Sequence, residues 1–170
     1  VGSGAKELCM RVLGDADVPL EDFMRKRAEL YDNSWNNKTV AYPGIYELLR
    51  TLGENGVMLA VLSNKTHIFT EKMIKYYFPD ITFASIYGSR EGYPLKPDPK
   101  ALLEIIDHIG IPKEQTLFVG DSGVDIQTAH NAGIKAAGVL WGFRDENELV
   151  ECCADYLAAD AKGLLDIIRG

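Results

Sequence analysis

Short apolar runs that alternate with amphipathic stretches constrain this chain more than anything else in it. Residues 57–62 (Val-Met-Leu-Ala-Val-Leu) run without a polar face, the mark of a strand covered on both sides, and residues 66–77 then fall at helical spacing. The alternation repeats. Strands are predicted at 83–87, 116–120, 135–140 and, at an edge, 155–157; helices are predicted at 99–109 with Asp98 as cap, 123–131, 146–152 and 161–169. Strand and helix in alternation require right-handed crossovers, so the expected fold is α/β, a doubly wound, Rossmann-like parallel sheet. Ahead of it, residues 6–13 and 20–35 carry helical periodicity. Pro43-Gly44 opens another helix through Ile45, Leu48, Leu49 and Leu52, which the turn from Gly53 to Gly56 ends.

A chain of 170 residues, 46% hydrophobic, can bury one substantial core. Its net charge of −7, with no run of Lys or Arg longer than Arg25-Lys26-Arg27, argues against nucleic acid or an anionic membrane as partner and favours a small molecule. No apolar run approaches the ~18 residues of a membrane span, and no charged-then-apolar leader is visible, so the expected location is cytoplasmic. Cys9, Cys152 and Cys153 make neither a disulfide framework nor a Cys-x-x-Cys pair and read as free thiols. Nothing in the pattern specifies an oligomeric state.

Sheets of this kind bind ligands beyond the carboxyl ends of their strands, and chemistry-bearing residues recur there. In Val119-Gly120-Asp121-Ser122-Gly123-Val124-Asp125 two carboxylates stand four residues apart where a strand gives way to a helix, so Asp121 and Asp125 can face one side. Hard oxygens with room for water and phosphate suit Mg2+; taken alone, the pair reads rather as a helix cap and a solvated first-turn acid, and the other motifs reverse that reading. Ser63, followed by Asn64 and Lys65, comes after the run 57–62, where its hydroxyl and neighbouring N–H groups could hold phosphate oxygens, or simply cap a helix. Lys96 precedes Pro97, which restricts the backbone; its ammonium could offset phosphate charge and crowded carboxylates, or lie on the surface. Together Ser63, Asn64, Lys96, Asp121 and Asp125 describe a phosphate pocket. Arg90 and Arg144 are within reach of a substrate carboxylate in principle. His67, His108 and His130 are scattered and read as surface or packing residues, as do the aromatics Tyr42, Tyr76, Tyr77 and Phe78.

The order of these pieces resembles the haloacid dehalogenase superfamily, most closely its phosphoglycolate phosphatase-like branch. Ser63-Asn64-Lys65 is similar to the second motif, Lys96-Pro97-Asp98-Pro99 to the third and Gly120-Asp121-Ser122-x-x-Asp125 to the fourth. Gly138-Val139-Leu140-Trp141-Gly142-Phe143-Arg144 also resembles this branch, and residues 2–37 resemble the latter part of its helical cap. The resemblance implies a partial cap over residues 1–40 and an α/β core over 41–170. It also implies Mg2+-dependent hydrolysis of a small phosphorylated metabolite through an aspartyl-phosphate, with Ser63, Asn64 and Lys96 on the phosphate and Asp121 and Asp125 on the metal.

One motif has no counterpart. The family's Asp-x-Asp-Gly-Thr, which follows its first strand and supplies the nucleophile, is matched only by Asp15-Ala16-Asp17, which continues Val18-Pro19 and follows a helical pattern. It is rejected as nucleophile. The first strand and first cap helices are expected upstream, roughly fifty residues or more for elements of ordinary length, and the chain by itself is expected to be inactive. Two other readings remain: a sugar-phosphate mutase of the same superfamily, and a non-catalytic phosphate- or metal-binding module resembling a receiver domain.

Overall fold

The computed structural model describes residues 4–170, so the first three residues of the expected cap segment lie outside the described residues. In chain order the elements are α1 (Ala5–Leu13), α2 (Leu20–Asp32), α3 (Ile45–Glu54), β1 (Ala60–Thr66), α4 (His67–Tyr77), β2 (Ser85–Ser89), α5 (Lys100–Ile109), a 3-10 turn (Lys113–Gln115), β3 (Leu117–Gly120), α6 (Gly123–Ala132), β4 (Lys135–Val139), α7 (Glu146–Glu151), β5 (Tyr156–Ala158) and α8 (Ala161–Arg169). Every strand pairing is parallel, as the alternation requires.

Strand β4 shows how the core is divided. Successive side chains of a strand point to opposite faces. Ala136 packs with Leu102 and Ile106 of α5, Ile126 and Ala129 of α6, and Leu149 of α7. Its neighbours Ala137 and Val139 pack instead with Leu48 and Leu52 of α3 and Leu164 of α8. Helices therefore cover both faces, which is the doubly wound arrangement. Alanines at 136 and 137, both wholly buried, let those helices approach closely.

The hydrogen-bonded ladders form two groups, β1 with β2 and β3-β4-β5 in that order. Between β1 and β3 lies a slot of about 620 Å3, lined by Val61 and Leu62 on one side and Leu117, Phe118 and Val119 on the other, and by Leu52, Leu102, Ile105 and Ile168 from the helices. Among the described residues no strand bridges it.

Strand β1 starts later than the apolar run suggests and continues through Ser63, Asn64 and Lys65. Val57 and Met58 are exposed, and pairing begins only where Ala60 meets Ser85, with the register breaking between Leu62 and Thr66. Pairing with β2, which periodicity does not reveal, sets these bounds. Similarly, α5 starts at Lys100 rather than at Pro99, with the Asp98 carboxylate accepting from the Lys100 N–H at 2.9 Å.

Helices α1 and α2 pack together and against the body beside the β1 end. Tyr31 meets Phe69 of α4 edge-on at 4.9 Å, and the buried Trp35 meets Tyr76 at 5.1 Å and Tyr77 at 6.1 Å. Tyr77 is thus a packing aromatic, while Tyr76 makes its edge contact from the surface and stays 58% exposed. No helix among the described residues is long and apolar enough to cross a membrane.

Candidate active site

A cavity of about 280 Å3 collects Ser63, Asn64, Lys96, Asp121 and Asp125 on one wall. The three chain segments named in the sequence therefore converge, although 62 positions separate Ser63 from Asp125. Each side chain is held there by something identifiable.

Lys96 and Asp125 form the most enclosed pair. The Nζ–Oδ1 distance is 2.6 Å, with side chains only 12% and 8% exposed, so both charges are largely withdrawn from water. The ammonium also donates to the Leu62 carbonyl at 3.3 Å and sits 5.5 Å from the centre of the Phe118 ring. Asp125 accepts a second hydrogen bond on Oδ2, from the Ser122 hydroxyl at 2.6 Å. Its carboxylate thereby fixes where the lysine points.

Asn64 is buried and its amide engages the Lys96 backbone in both directions: Nδ2 donates to the Lys96 carbonyl at 3.1 Å, and Oδ1 accepts from the Lys96 N–H at 2.8 Å. The end of β1 is thus clamped to the loop that carries Lys96. Ser63 does not cap α4, which begins four residues later at His67. Its Oγ accepts from the Lys65 N–H at 3.1 Å, using a lone pair and keeping the O–H as a donor toward the cavity.

Asp121 is oriented from the far side. Its Oδ2 accepts from the Phe143 N–H at 2.9 Å, in the loop after β4. That approach depends on Gly142, where a Cβ would overlap the Asp121 side chain, just as a Cβ at Gly120 would overlap Asp125. The glycines of the two motifs are therefore spaces into which the carboxylates fit. At the start of α6 the Gly123 N–H is taken by Glu148 of α7 at 2.8 Å, which ties that helix end to the loop region.

Among the described residues no three His, Cys, Asp or Glu side chains gather as a metal cluster. Magnesium does not need one, since it commonly takes one or two carboxylates and completes its shell with water and phosphate. Asp121 suits direct ligation; Asp125, whose two oxygens already meet donors, suits support through a bridging water.

Asp15 and Asp17 lie exposed in the turn between α1 and α2 and do not line the cavity. Nor do the two arginines considered for substrate contact. Arg90 is stacked 4.3 Å from both the Tyr87 and Tyr93 rings and pairs with Glu104 at 3.5 Å, while Arg144 pairs with Glu148 at 3.6 Å. The same enclosure raises the Tyr87 hydroxyl above its ordinary pKa, through burial first and Glu104 second. His67 accepts from the Gly88 N–H, and His130 meets Asp155. Cavity residues that the sequence did not single out are Arg27 and Tyr31 from α2, Lys65 as a side chain, Phe69, Ser122 and Phe143. Of these Lys65, Ser122 and Phe143 stood inside the quoted motifs, whereas Arg27, Tyr31 and Phe69 carried no local signal.

Residues 5–139 match the family model described as haloacid dehalogenase-like hydrolase. The chain is 33% identical to a phosphoglycolate phosphatase from Mannheimia succiniciproducens, over 99% of this chain and 79% of that protein. It is 32% identical to one from Pseudomonas fluorescens, over 97% of this chain but 63% of that protein, so it spans under two thirds of that relative's length. The solved structure of a predicted phosphoglycolate phosphatase from Haemophilus somnus superposes with a TM-score of 0.90 at 26% identity, over 98% of this chain and 78% of that one.

Proposed function

We propose that this chain, which belongs to the haloacid dehalogenase-like hydrolase family, supplies the phosphate and metal pocket of a magnesium-dependent phosphomonoesterase that acts on a small metabolite of the phosphoglycolate kind. The observation that carries the reading is the convergence of Ser63, Lys96, Asp121 and Asp125 on one cavity. A dianionic phosphate entering it would meet the Ser63 hydroxyl and the Lys96 ammonium, while Asp121 would hold the cation. Magnesium would supply the charge that lets one anion approach another.

Lys96 does two things in this reading. Locked by Asp125, it presents a fixed positive charge to the phosphate, so no reorganisation is needed as charge shifts during transfer. Asn64 holds the Lys96 backbone in register with β1, so Ser63 and Lys96 act as one rigid unit. The reaction moves the phosphoryl group from the ester oxygen to an attacking carboxylate, releases the alcohol with a proton, and then moves the phosphoryl group to water. No described residue is placed to attack. The slot between β1 and β3 supports a source for that carboxylate: a strand in it, parallel to both neighbours, would end between Ser63 and Asp121.

Phosphate release from 2-phosphoglycolate by the protein carrying an Asp-x-Asp-Gly-Thr strand ahead of this chain, measured with and without EDTA, tests the proposal. Release that stops with EDTA and with Asp121→Asn, and falls roughly a hundredfold with Ser63→Ala, is the expected result. Release indifferent to chelation would sink it, and binding of magnesium and phosphate without any turnover, even with that strand in place, would favour a non-catalytic module.

A further inference from the structure

The wall of the cavity formed by the helical segment carries a second set of charges with a different pattern. Arg27 and Tyr31 sit one turn apart on α2, and Lys65 reaches them from β1. The Lys65 ammonium donates to the Tyr31 hydroxyl at 2.6 Å and lies 4.8 Å from the ring centre, while the Arg27 guanidinium carbon lies 5.5 Å from that same centre. Tyr31 is in turn fixed by Phe69, edge-on at 4.9 Å.

These two cations differ from the other basic groups nearby. Lys96 is neutralised by Asp125, and on α2 itself Arg25 pairs with Asp22 and Glu29, and Lys26 with Glu29. Among the described residues neither Arg27 nor Lys65 has a carboxylate within ion-pair distance. In a chain whose net charge is −7, two half-buried cations without acidic partners, held by one aromatic ring at the edge of a cavity, are a local inversion of the overall field. An anion arriving there would meet two positive charges that no carboxylate already neutralises.

We infer that Arg27 and Lys65, positioned by Tyr31, form a subsite for a second anionic group, so that the cavity selects phosphomonoesters that also bear a carboxylate a few bonds from phosphorus. The inference rests on the phosphatase reading for the placement of the phosphate at Ser63 and Lys96. Each half of such a ligand then meets its own charge: phosphate at Lys96 and the cation of Asp121, carboxylate at the α2 wall. Arg27 offers a planar pair of donors and Lys65 a point charge, and together they would discriminate against an uncharged tail, which leaves both unpaired.

Calorimetric titration with magnesium present tests it, using 3-phosphonopropionate and propylphosphonate. These have the same length, differ in the carboxylate alone and contain no ester to cleave; inorganic phosphate serves as the reference ligand. The protein should prefer 3-phosphonopropionate by roughly tenfold or more, a charge-assisted contact being worth at least that. Arg27→Leu and Lys65→Met should each bring the ratio of the two affinities toward one, Tyr31→Phe should lower it partway, and Arg25→Leu on the same helix should leave it intact. A ratio near one in the unaltered protein, or an equal loss for both phosphonates in the variants, overturns the subsite while phosphate binding preserves the phosphatase reading. Failure of inorganic phosphate to bind overturns both.

Discussion

Two residues that line the cavity share one fate. Lys96 and Asp125 are each nearly enclosed and 2.6 Å apart, so removing either leaves the other charged, buried and alone. Lys96→Met or Asp125→Leu should each destabilise by about 3 kcal/mol, with the double change recovering much of the loss. Urea unfolding of the three variants checks this; a double variant no better than the singles would mean that the pair is not a coupled unit. Gly142 permits a sharper test of how Asp121 is aimed. A methyl group there would meet the carboxylate, so Gly142→Ala should weaken magnesium binding roughly tenfold through Asp121 orientation. Gly53, within α3 and with nothing near its Cβ position, should instead gain about 0.5–1 kcal/mol on the same change. Calorimetry with magnesium and thermal unfolding read the two effects separately. Ser63, Lys96, Asp121 and Asp125 were legible in the sequence because each stands at a strand end or in a loop with a distinctive neighbour. Arg27 was not: Arg25, Lys26 and Arg27 are consecutive basic residues on one helix, and only the packing of α2 against α4 decides which one faces the cavity.

At the level of elements, the junction of β4 and β5 contains a pH-sensitive tie. The Asp155 carboxylate accepts from the Ala136 N–H at 2.9 Å and meets His130 at 3.2 Å. Its pKa is held below the ordinary carboxylate value of 3.8, chiefly by the backbone hydrogen bond and then by His130, against the opposing effect of burial. A folded-state value below the unfolded one means that the charged form stabilises the fold. That contribution is complete above the unfolded pKa and is lost as pH falls through the lower folded value. Stability should therefore drop on acidification below about pH 4, and Asp155→Asn should flatten that limb while lowering stability near neutrality. Chemical unfolding at a series of pH values measures both, and an unchanged acid limb would show that other carboxylates control it. The elements themselves were readable because apolar runs and helical spacing report burial directly. Their bounds were less so: β1 begins at Ala60 because Ser85 is its first partner, and a pairing between segments separated in sequence leaves no trace in either segment's periodicity.

Across the whole molecule the slot between β1 and β3 is the largest departure from a continuous sheet. Two parallel edges face each other over about 620 Å3, with Val61, Leu62, Leu117 and Val119 among the lining. Apolar side chains beside backbone donors and acceptors without strand partners make a surface that water covers poorly and that an extended segment covers well. Periodicity could not indicate where the ladder would open, since that depends on which strands pair. Val119 tests what the slot does physically. Its side chain is already 39% exposed, so Val119→Lys removes little burial and should cost less than about 0.5 kcal/mol. The added ammonium nevertheless stands in the apolar lining, where it disfavours the addition of a strand. Sedimentation velocity over a range of concentrations should show association of the unaltered chain that the variant loses. Association that persists unchanged in Val119→Lys would place the sticky surface elsewhere and would leave the slot a packing gap rather than a strand-accepting edge.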